Sequence, residues 1–185
     1  AVADNTTLRW LDLSSQQDDD GLGGLRCAGA IALASALLTN DTLEVLLLAA
    51  NGIGGGAAAA KAIARSMCAR GGCGLKELDL SGNSFDTQGI RTLTAALRDS
   101  PLHLRTLKLE QPGKGGGVDA SAWIDYGAAV AARALQHEQH EQRELLQRQQ
   151  EQYRATHRLI EFHRHRFTMT VELDQSVGCT ILLLL

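Results

Sequence analysis

The segment GLKELDLSGNSFDTQGIRTLTAAL, residues 74 to 97, changes from one hydrophobic spacing to another. In its first half, leucines stand three and then two residues apart, at Leu75, Leu78 and Leu80. In its second half, small or apolar residues recur every four positions, at Gly89, Leu93 and Leu97. Spacing by four is typical of one face of a helix, whereas the first spacing is typical of a short buried strand. The segment therefore predicts a strand, a turn and a helix.

The leucine spacing occurs four times in the chain, which indicates a repeat. The four occurrences begin at Leu8, Leu43, Leu75 and Leu104, with start-to-start spacings of 35, 32 and 29 residues. Each is followed by small or apolar residues four apart, and outside the quoted segment these are Gly29, Leu33 and Leu37; Ala59, Ile63 and Met67; and Gly127, Ala131 and Leu135. The sequence therefore predicts four successive units, each made of a strand and a helix.

These units resemble leucine-rich repeats of the ribonuclease-inhibitor type. In that family one unit contains a short strand and a full helix and is slightly shorter than about thirty residues. The resemblance covers roughly residues 5 to 135. It implies an α/β fold, a short solenoid with parallel strands lining a concave face and helices outside. An asparagine after the strand, here Asn51 and Asn83, is then expected to bond backbone groups of adjacent turns. Gln16 and Pro112 stand at this position in the first and fourth units, which depart from the pattern.

The pattern divides the chain into three regions. Residues 1–117 hold about three complete repeats and the fourth strand, and residues 118–166 hold the last repeat helix, extended into a long helix that crosses solvent. Residues 167–185 are expected to form a β-hairpin, because FTMTVEL alternates apolar and polar residues and DQSVG forms a turn into CTILLLL. NTTL closes a preceding helix in this family and the chain stops in an apolar run, so we expect a piece of a longer protein, truncated at both ends.

Composition narrows the classes of function. A formal net charge of −3 gives no basic field for a general nucleic-acid binder. No apolar run reaches the roughly 18 to 20 residues of a membrane span, and the start lacks the layout of a secretory signal. We therefore expect a cytoplasmic protein. The cysteines have the spacing of neither a disulfide framework nor a zinc site and are expected to be free thiols: Cys27, Cys68, Cys73 and Cys179.

Two patterns invite a chemical interpretation, and each has a simpler one. Glycines within residues 52–56 and the segment PGKGGG at 112–117 lack the Lys-Ser/Thr ending of a phosphate loop, so they are interpreted as flexible connections. Histidines at 137 and 140 stand among glutamate and glutamine, as on a solvated helix, and those at 163 and 165 lie in a locally basic stretch, so a metal site is not expected. No nucleophile signature is present. We expect no catalytic residue, metal, cofactor or small-molecule substrate.

Strand geometry predicts which side chains reach the concave face. The leucines point inward, and the residues between them alternate to the opposite face of the sheet. Stacked in register, Trp10 adjoins Val45, and Leu47 lies between Asp12 and Asp79. The predicted partner-binding residues are Trp10, Asp12, Val45, Leu47, Glu77, Asp79 and Lys108. The alternative is that Val45 and Leu47 are only good strand formers, or are covered by another part of the chain.

A second predicted partner-binding surface lies on the last helix. Apolar residues recur every seven positions there, at Leu146, Tyr153, Ile160 and Phe167. The companion positions are polar, namely Gln149, Thr156 and His163, so a two-stranded coiled coil is weakly specified. The pattern leaves open whether the helix self-associates or docks on a different subunit.

The sequence thus predicts a non-catalytic protein–protein interaction scaffold, a subunit of a larger intracellular assembly. Similar repeats occur in leucine-rich subunits of ciliary axonemes, actin-capping tropomodulins, innate-immune receptors and Ran GTPase-activating proteins. The glutamine- and arginine-rich helix favours a cytoskeletal or axonemal setting with other proteins as partners, rather than nucleic acid or membrane. The alternatives are a GTPase-activating regulator of the Ran type, for which Asn51 and Asn83 are the candidate asparagines, and the sensing repeats of an innate-immune receptor.

Overall fold

The structure, a computed structural model, describes residues 2–16, 24–54, 56–69, 74–101, 104–110 and 118–177, with side chains described up to residue 164. The elements are β1 (Trp10–Asp12), α1 (Arg26–Leu37), β2 (Val45–Leu47), α2 (Ala57–Met67), β3 (Glu77–Asp79), α3 (Thr87–Asp99), β4 (Thr106–Lys108) and α4 (Ala120–Val177). The chain divides into two compact units, Ala1–His137 and Glu138–Leu185.

The first unit is a mixed α/β structure in which a helix follows each strand. The four strands form one parallel sheet in the order β1-β2-β3-β4. The repeated leucines hold this sheet together, because Leu46, Leu78 and Leu107 stand at matching positions of neighbouring strands and are buried. The predicted α/β class and the predicted order of strands and helices are confirmed.

The core lies between the sheet and the helices. The core contains the repeated leucines of the second and third units and apolar side chains of the helices, notably Ile63, Met67, Leu93 and Leu97. Full burial of such a side chain contributes roughly 1.5 to 3 kcal/mol, so the repeated leucines and the apolar helix residues together stabilise this unit. The leucines of the first unit, such as Leu11, are only partly buried.

The turns after the first three strands share one backbone conformation. Ser15, Ala50 and Gly82 occupy corresponding places two residues after the last leucine of each motif, and their φ angles are 54°, 53° and 67°. This left-handed region is natural for glycine and strained for residues with a Cβ atom. The third unit therefore contains the residue that the turn favours, and the first two do not.

The long last helix was predicted within residues 118–166, and α4 continues to Val177. The expectation of a β-strand within residues 167–173 is therefore wrong. A strand needs a neighbour for its backbone hydrogen bonds, whereas a helix satisfies its own, and this stretch contains no proline or glycine to end the helix. The second strand of the predicted hairpin, residues 179–185, lies outside the described residues, as do Pro112, Cys73, Cys179 and residues 112–117.

Candidate protein-binding face

The strands place one row of side chains on the sheet face opposite the core, called here the open face. Trp10 pairs with Val45, Val45 with Glu77 and Glu77 with Thr106. The second row runs in the order Asp12, Leu47, Asp79 and Lys108. The predicted neighbours are thus confirmed, because Trp10 adjoins Val45 and Leu47 lies between two aspartates. The seven residues named from the sequence form one continuous surface.

The apolar part of the open face is centred on Trp10, which is 56% exposed. Val45 and Leu47 are half-buried, so they present only part of their side chains to solvent. The apolar patch is therefore narrower than the strand pattern alone suggests, and Trp10 provides most of its accessible area. An exposed tryptophan beside aliphatic side chains is a favourable anchor for a protein partner.

The two aspartates that flank Leu47 have the same local role. The Ser14 backbone N–H donates to Asp12 Oδ1 at 2.8 Å, and the Ser81 N–H donates to Asp79 Oδ1 at 2.9 Å. The hydrogen bond from Ser14 lowers the pKa of Asp12, which is consequently ionised at neutral pH. Each carboxylate closes the turn after its strand with one oxygen, and this geometry holds the carboxylates in place beside Leu47.

The far side of the open face is partly neutralised by a lysine that lies between two carboxylates. Lys108 Nζ lies 2.5 Å from Glu77 Oε1 and 3.8 Å from Asp79 Oδ2. The hydrogen bond with Glu77 raises the pKa of Lys108. Glu77, Asp79 and Lys108 together keep a net charge of −1, and Asp12 adds a second negative charge next to Trp10, so a partner segment with basic as well as apolar side chains suits the open face.

The asparagines named from the sequence are buried in the turns. Asn83 Oδ1 accepts from the N–H groups of Asn51 and Ile53, both at 3.0 Å, and its Nδ2 donates to the carbonyls of Leu48 and Leu80. Asn51 Nδ2 donates to the carbonyl of Leu13 at 2.7 Å. Each amide thus ties its own turn to the preceding one. Because these bonds occupy both amides, the asparagines give no support to the GTPase-activating alternative.

Sequence reasoning missed a tyrosine that closes one edge of the sheet. The hydroxyl of Tyr126 donates to the Leu107 carbonyl at 2.7 Å and accepts from the Leu109 N–H at 3.0 Å. In the preceding strands the corresponding N–H groups bond the next strand, as from Leu80 to Lys108. Tyr126 therefore occupies hydrogen-bonding groups of β4 that a fifth strand would use. Burial raises the pKa of its phenol, which keeps the hydroxyl protonated.

Two further polar residues were also missed. Arg133 is buried, and its guanidinium donates to the carbonyls of Leu97, Ser100 and Pro101 at the end of α3. Asn40 repeats the role of the other asparagines at the opposite end of the strands, since its Nδ2 donates to the Val2 and Asn5 carbonyls at 2.7 and 2.8 Å. The signal for Asn40 was present, because NTTL and NDTL place an asparagine three residues before a motif leucine.

The second predicted surface lies on the part of α4 in the second unit. Leu146, Tyr153 and Ile160 are 55%, 72% and 60% exposed. Phe167 continues the seven-residue spacing along the same helix. Leu145 and Leu159 are also more than half exposed. This surface is thus a row of apolar side chains exposed to solvent, and it is more exposed than the open face.

Other kinds of site have little basis in the described residues. No group of three or more His, Cys, Asp and Glu side chains that could hold a metal ion is found within them. In the same part of the chain no helix is both long and apolar enough to cross a membrane. Cys27 and Cys68 are free thiols, and the thiol of Cys27 donates to the Gly54 carbonyl in the connection before α2.

Comparison with known proteins gives a likeness in structure but none in sequence family. No protein-family model matches the chain, and no curated protein matches it. Among solved structures, Leiomodin-1 Actin-Binding Site 2 (ABS2) matches with a TM-score of 0.56 and 16% sequence identity. The match covers 80% of this chain and 92% of that chain. At this level of identity the likeness concerns the fold alone.

Proposed function

We propose that the chain is a non-catalytic protein-binding subunit of a cytoskeletal assembly and that the open face holds an extended segment of its partner. The observation that carries this proposal is the placement of Trp10 beside Val45 and Leu47, with Asp12 and Asp79 on either side of Leu47. In the same proposal the four strand-helix units are leucine-rich repeats of the ribonuclease-inhibitor type, stacked as a solenoid. The assembly is a cytoskeletal one, and the ciliary axoneme is one example of such an assembly.

The dimensions of the open face suit a short extended segment. Neighbouring strands lie about 4.8 Å apart, so four strands span about 14 Å, the length of roughly four extended residues. Such a segment crosses the strands and runs along the two rows. Apolar side chains of the partner pack on Trp10, and a basic side chain pairs with Asp12. Truncating a tryptophan anchor of this kind typically costs about 2 kcal/mol or more of binding free energy.

Actin is the first partner to test. The support is the fold shared with Leiomodin-1 Actin-Binding Site 2, together with an exposed tryptophan beside aliphatic and charged side chains, which is a composition common in protein interfaces. This chain and the leiomodin structure share only 16% sequence identity, so the residues that contact actin cannot be carried over from leiomodin. On this proposal the contacts are made by this chain's own open-face residues. Monomeric and filamentous actin are separate candidates, and the binding of the chain to each is measured.

The experiment is a titration of fluorescently labelled monomeric actin with the chain, followed by co-sedimentation with actin filaments. Leu47→Glu places a third carboxylate beside Asp12 and Asp79 and is expected to weaken binding at least about tenfold, or about 1.4 kcal/mol. Gln88→Glu adds the same charge at an exposed position of α3 and serves as the control. Absence of binding by the wild-type chain to either form overturns the choice of actin. Equal binding by both variants overturns the role of the open face.

A further inference from the structure

The part of α4 in the second unit carries a face without charge. Within residues 142–163, one side of the helix contains no Asp, Glu, Lys or Arg. Its members are spaced by three, one and three residues in a pattern that repeats three times: Gln142, Leu145, Leu146, Gln149, Gln152, Tyr153, Thr156, Leu159, Ile160 and His163. At 1.5 Å per residue this face, called here the uncharged strip, is about 32 Å long.

The uncharged strip is exposed along its whole length. Its five large apolar side chains are 55% to 72% exposed: Leu145, Leu146, Tyr153, Leu159 and Ile160. The charged residues within 142–163 all lie at other positions around the helix. A helix that collects its charges on one side and its apolar residues at seven-residue intervals on the other has the pattern of a helix paired with a second helix.

The strip is complementary to itself when two copies run in opposite directions. If residues whose numbers add to 305 face each other, Leu146 meets Leu159 of the second copy and Leu145 meets Ile160 of the second copy. In the same register Gln149 meets Thr156. On both sides of the symmetry axis leucine and isoleucine thus pack on one another and Gln149 lies opposite Thr156, while at the axis Tyr153 lies opposite Gln152 of the second copy. This register places the symmetry axis between Gln152 and Tyr153.

The charge distribution along the helix selects this direction. Residues 138–151 carry four glutamates and two arginines, whereas residues 152–164 carry three arginines and one glutamate. An antiparallel pair sets the acidic half of one helix against the basic half of the other. A parallel pair sets like halves together, which is unfavourable because charges flanking the seam determine the orientation of paired helices.

We propose that the uncharged strip of α4 pairs antiparallel with the same strip of a second copy of this chain. One dimer then carries two open faces and can hold two partner segments at once. The proposal stands apart from the identity of the partner, because the strip and the open face belong to different units of the chain. The helix stripe named from the sequence is, on this proposal, a self-association surface.

Disulfide cross-linking tests the proposal in the full chain without any partner present. The four native cysteines are replaced by serine, and Leu146→Cys and Leu159→Cys are prepared separately, one with an affinity tag. Mixed together and oxidised, the two variants are expected to form the tagged–untagged disulfide at least about ten times faster than either variant cross-links with itself. Arg154→Cys, on the charged side of the helix, is the control and is expected to form little or no disulfide-linked dimer under the same conditions, although its strip still pairs.

Each other outcome overturns the proposal. Cross-linking of Leu146→Cys mainly with itself shows a parallel pair, and absence of cross-linking together with a monomeric mass by light scattering shows that the strip does not self-associate. Circular dichroism confirms that each variant remains helical. Because no actin is present, a negative result leaves the proposed function standing, and failure of actin binding leaves this proposal standing.

Discussion

Tyr126 closes the sheet at Leu107, because its hydroxyl donates to the Leu107 carbonyl at 2.7 Å while it accepts from the Leu109 N–H at 3.0 Å. Tyr126→Phe removes both bonds and keeps the ring, which packs edge-on against Trp123. We expect a loss of about 1 to 3 kcal/mol in the free energy of unfolding, measured by urea denaturation. Tyr153→Phe, which removes the hydroxyl of an exposed tyrosine, is the control. Equal stability of the two variants would show that Tyr126 does not close the edge.

Asn83 joins the turns of the second and third units through one buried amide. Replacing it with alanine leaves the N–H groups of Asn51 and Ile53 and the Leu48 carbonyl without this partner. The expected loss is about 1 to 3 kcal/mol in the free energy of unfolding. Gln16→Ala changes the residue that stands at the corresponding position of the first unit, where the side chain is exposed, and is expected to cost less than about 0.5 kcal/mol. An unchanged melting temperature for Asn83→Ala contradicts the assignment.

The shared turn conformation of Ala50 and Gly82 gives a pair of opposite predictions. Ala50→Gly relieves a left-handed φ of 53° and is expected to raise the free energy of unfolding by up to about 1 kcal/mol. Gly82→Ala introduces the same strain at a φ of 67° and is expected to lower it by a similar amount. Both are measured by urea denaturation at one temperature. Changes of the same sign in the two variants would mean that the turns are not equivalent.

Arg133 is a buried cation whose described hydrogen bonds are all to neutral oxygens at the end of α3. Burial lowers its pKa, which still leaves it protonated at neutral pH. Arg133→Met keeps most of the stem and removes the donors, so we expect a loss of about 1 to 3 kcal/mol and faster amide exchange near Ser100. Arg133→Lys is expected to recover little of this, because an ammonium cannot reach several carbonyls in one plane. If Arg133→Lys has the same free energy of unfolding as the wild-type chain, only the positive charge of Arg133 matters, and its several hydrogen bonds do not.

Much of the first unit could be predicted because the leucine spacing encodes it directly. Leu46, Leu78 and Leu107 are buried at matching positions, so the register of the sheet and the composition of the open face follow from strand alternation. The extent of exposure could not be predicted in this way, because strand alternation tells which face a side chain is on and not how much of it is covered; Val45 and Leu47 proved half-buried.

The contacts of Tyr126 and Arg133 were beyond sequence reasoning for a different reason. Both residues act across long separations, Tyr126 on Leu107 and Arg133 on Leu97, and neither belongs to the repeated pattern. The strand expected within residues 167–173 was wrong because alternation over seven residues is a local signal. An established helix continues through such a stretch when nothing in the sequence ends it.

The central claim is that Trp10 and its neighbours on the open face are the contact surface for a protein partner. Fluorine NMR of the chain labelled with 5-fluorotryptophan tests it directly, because the only two resonances come from Trp10 and Trp123, and Trp10→Phe assigns them. On titration with unlabelled actin we expect the Trp10 resonance to shift and to lose its sensitivity to D₂O, while the Trp123 resonance stays in place. Saturated binding with an unchanged Trp10 resonance would contradict the account.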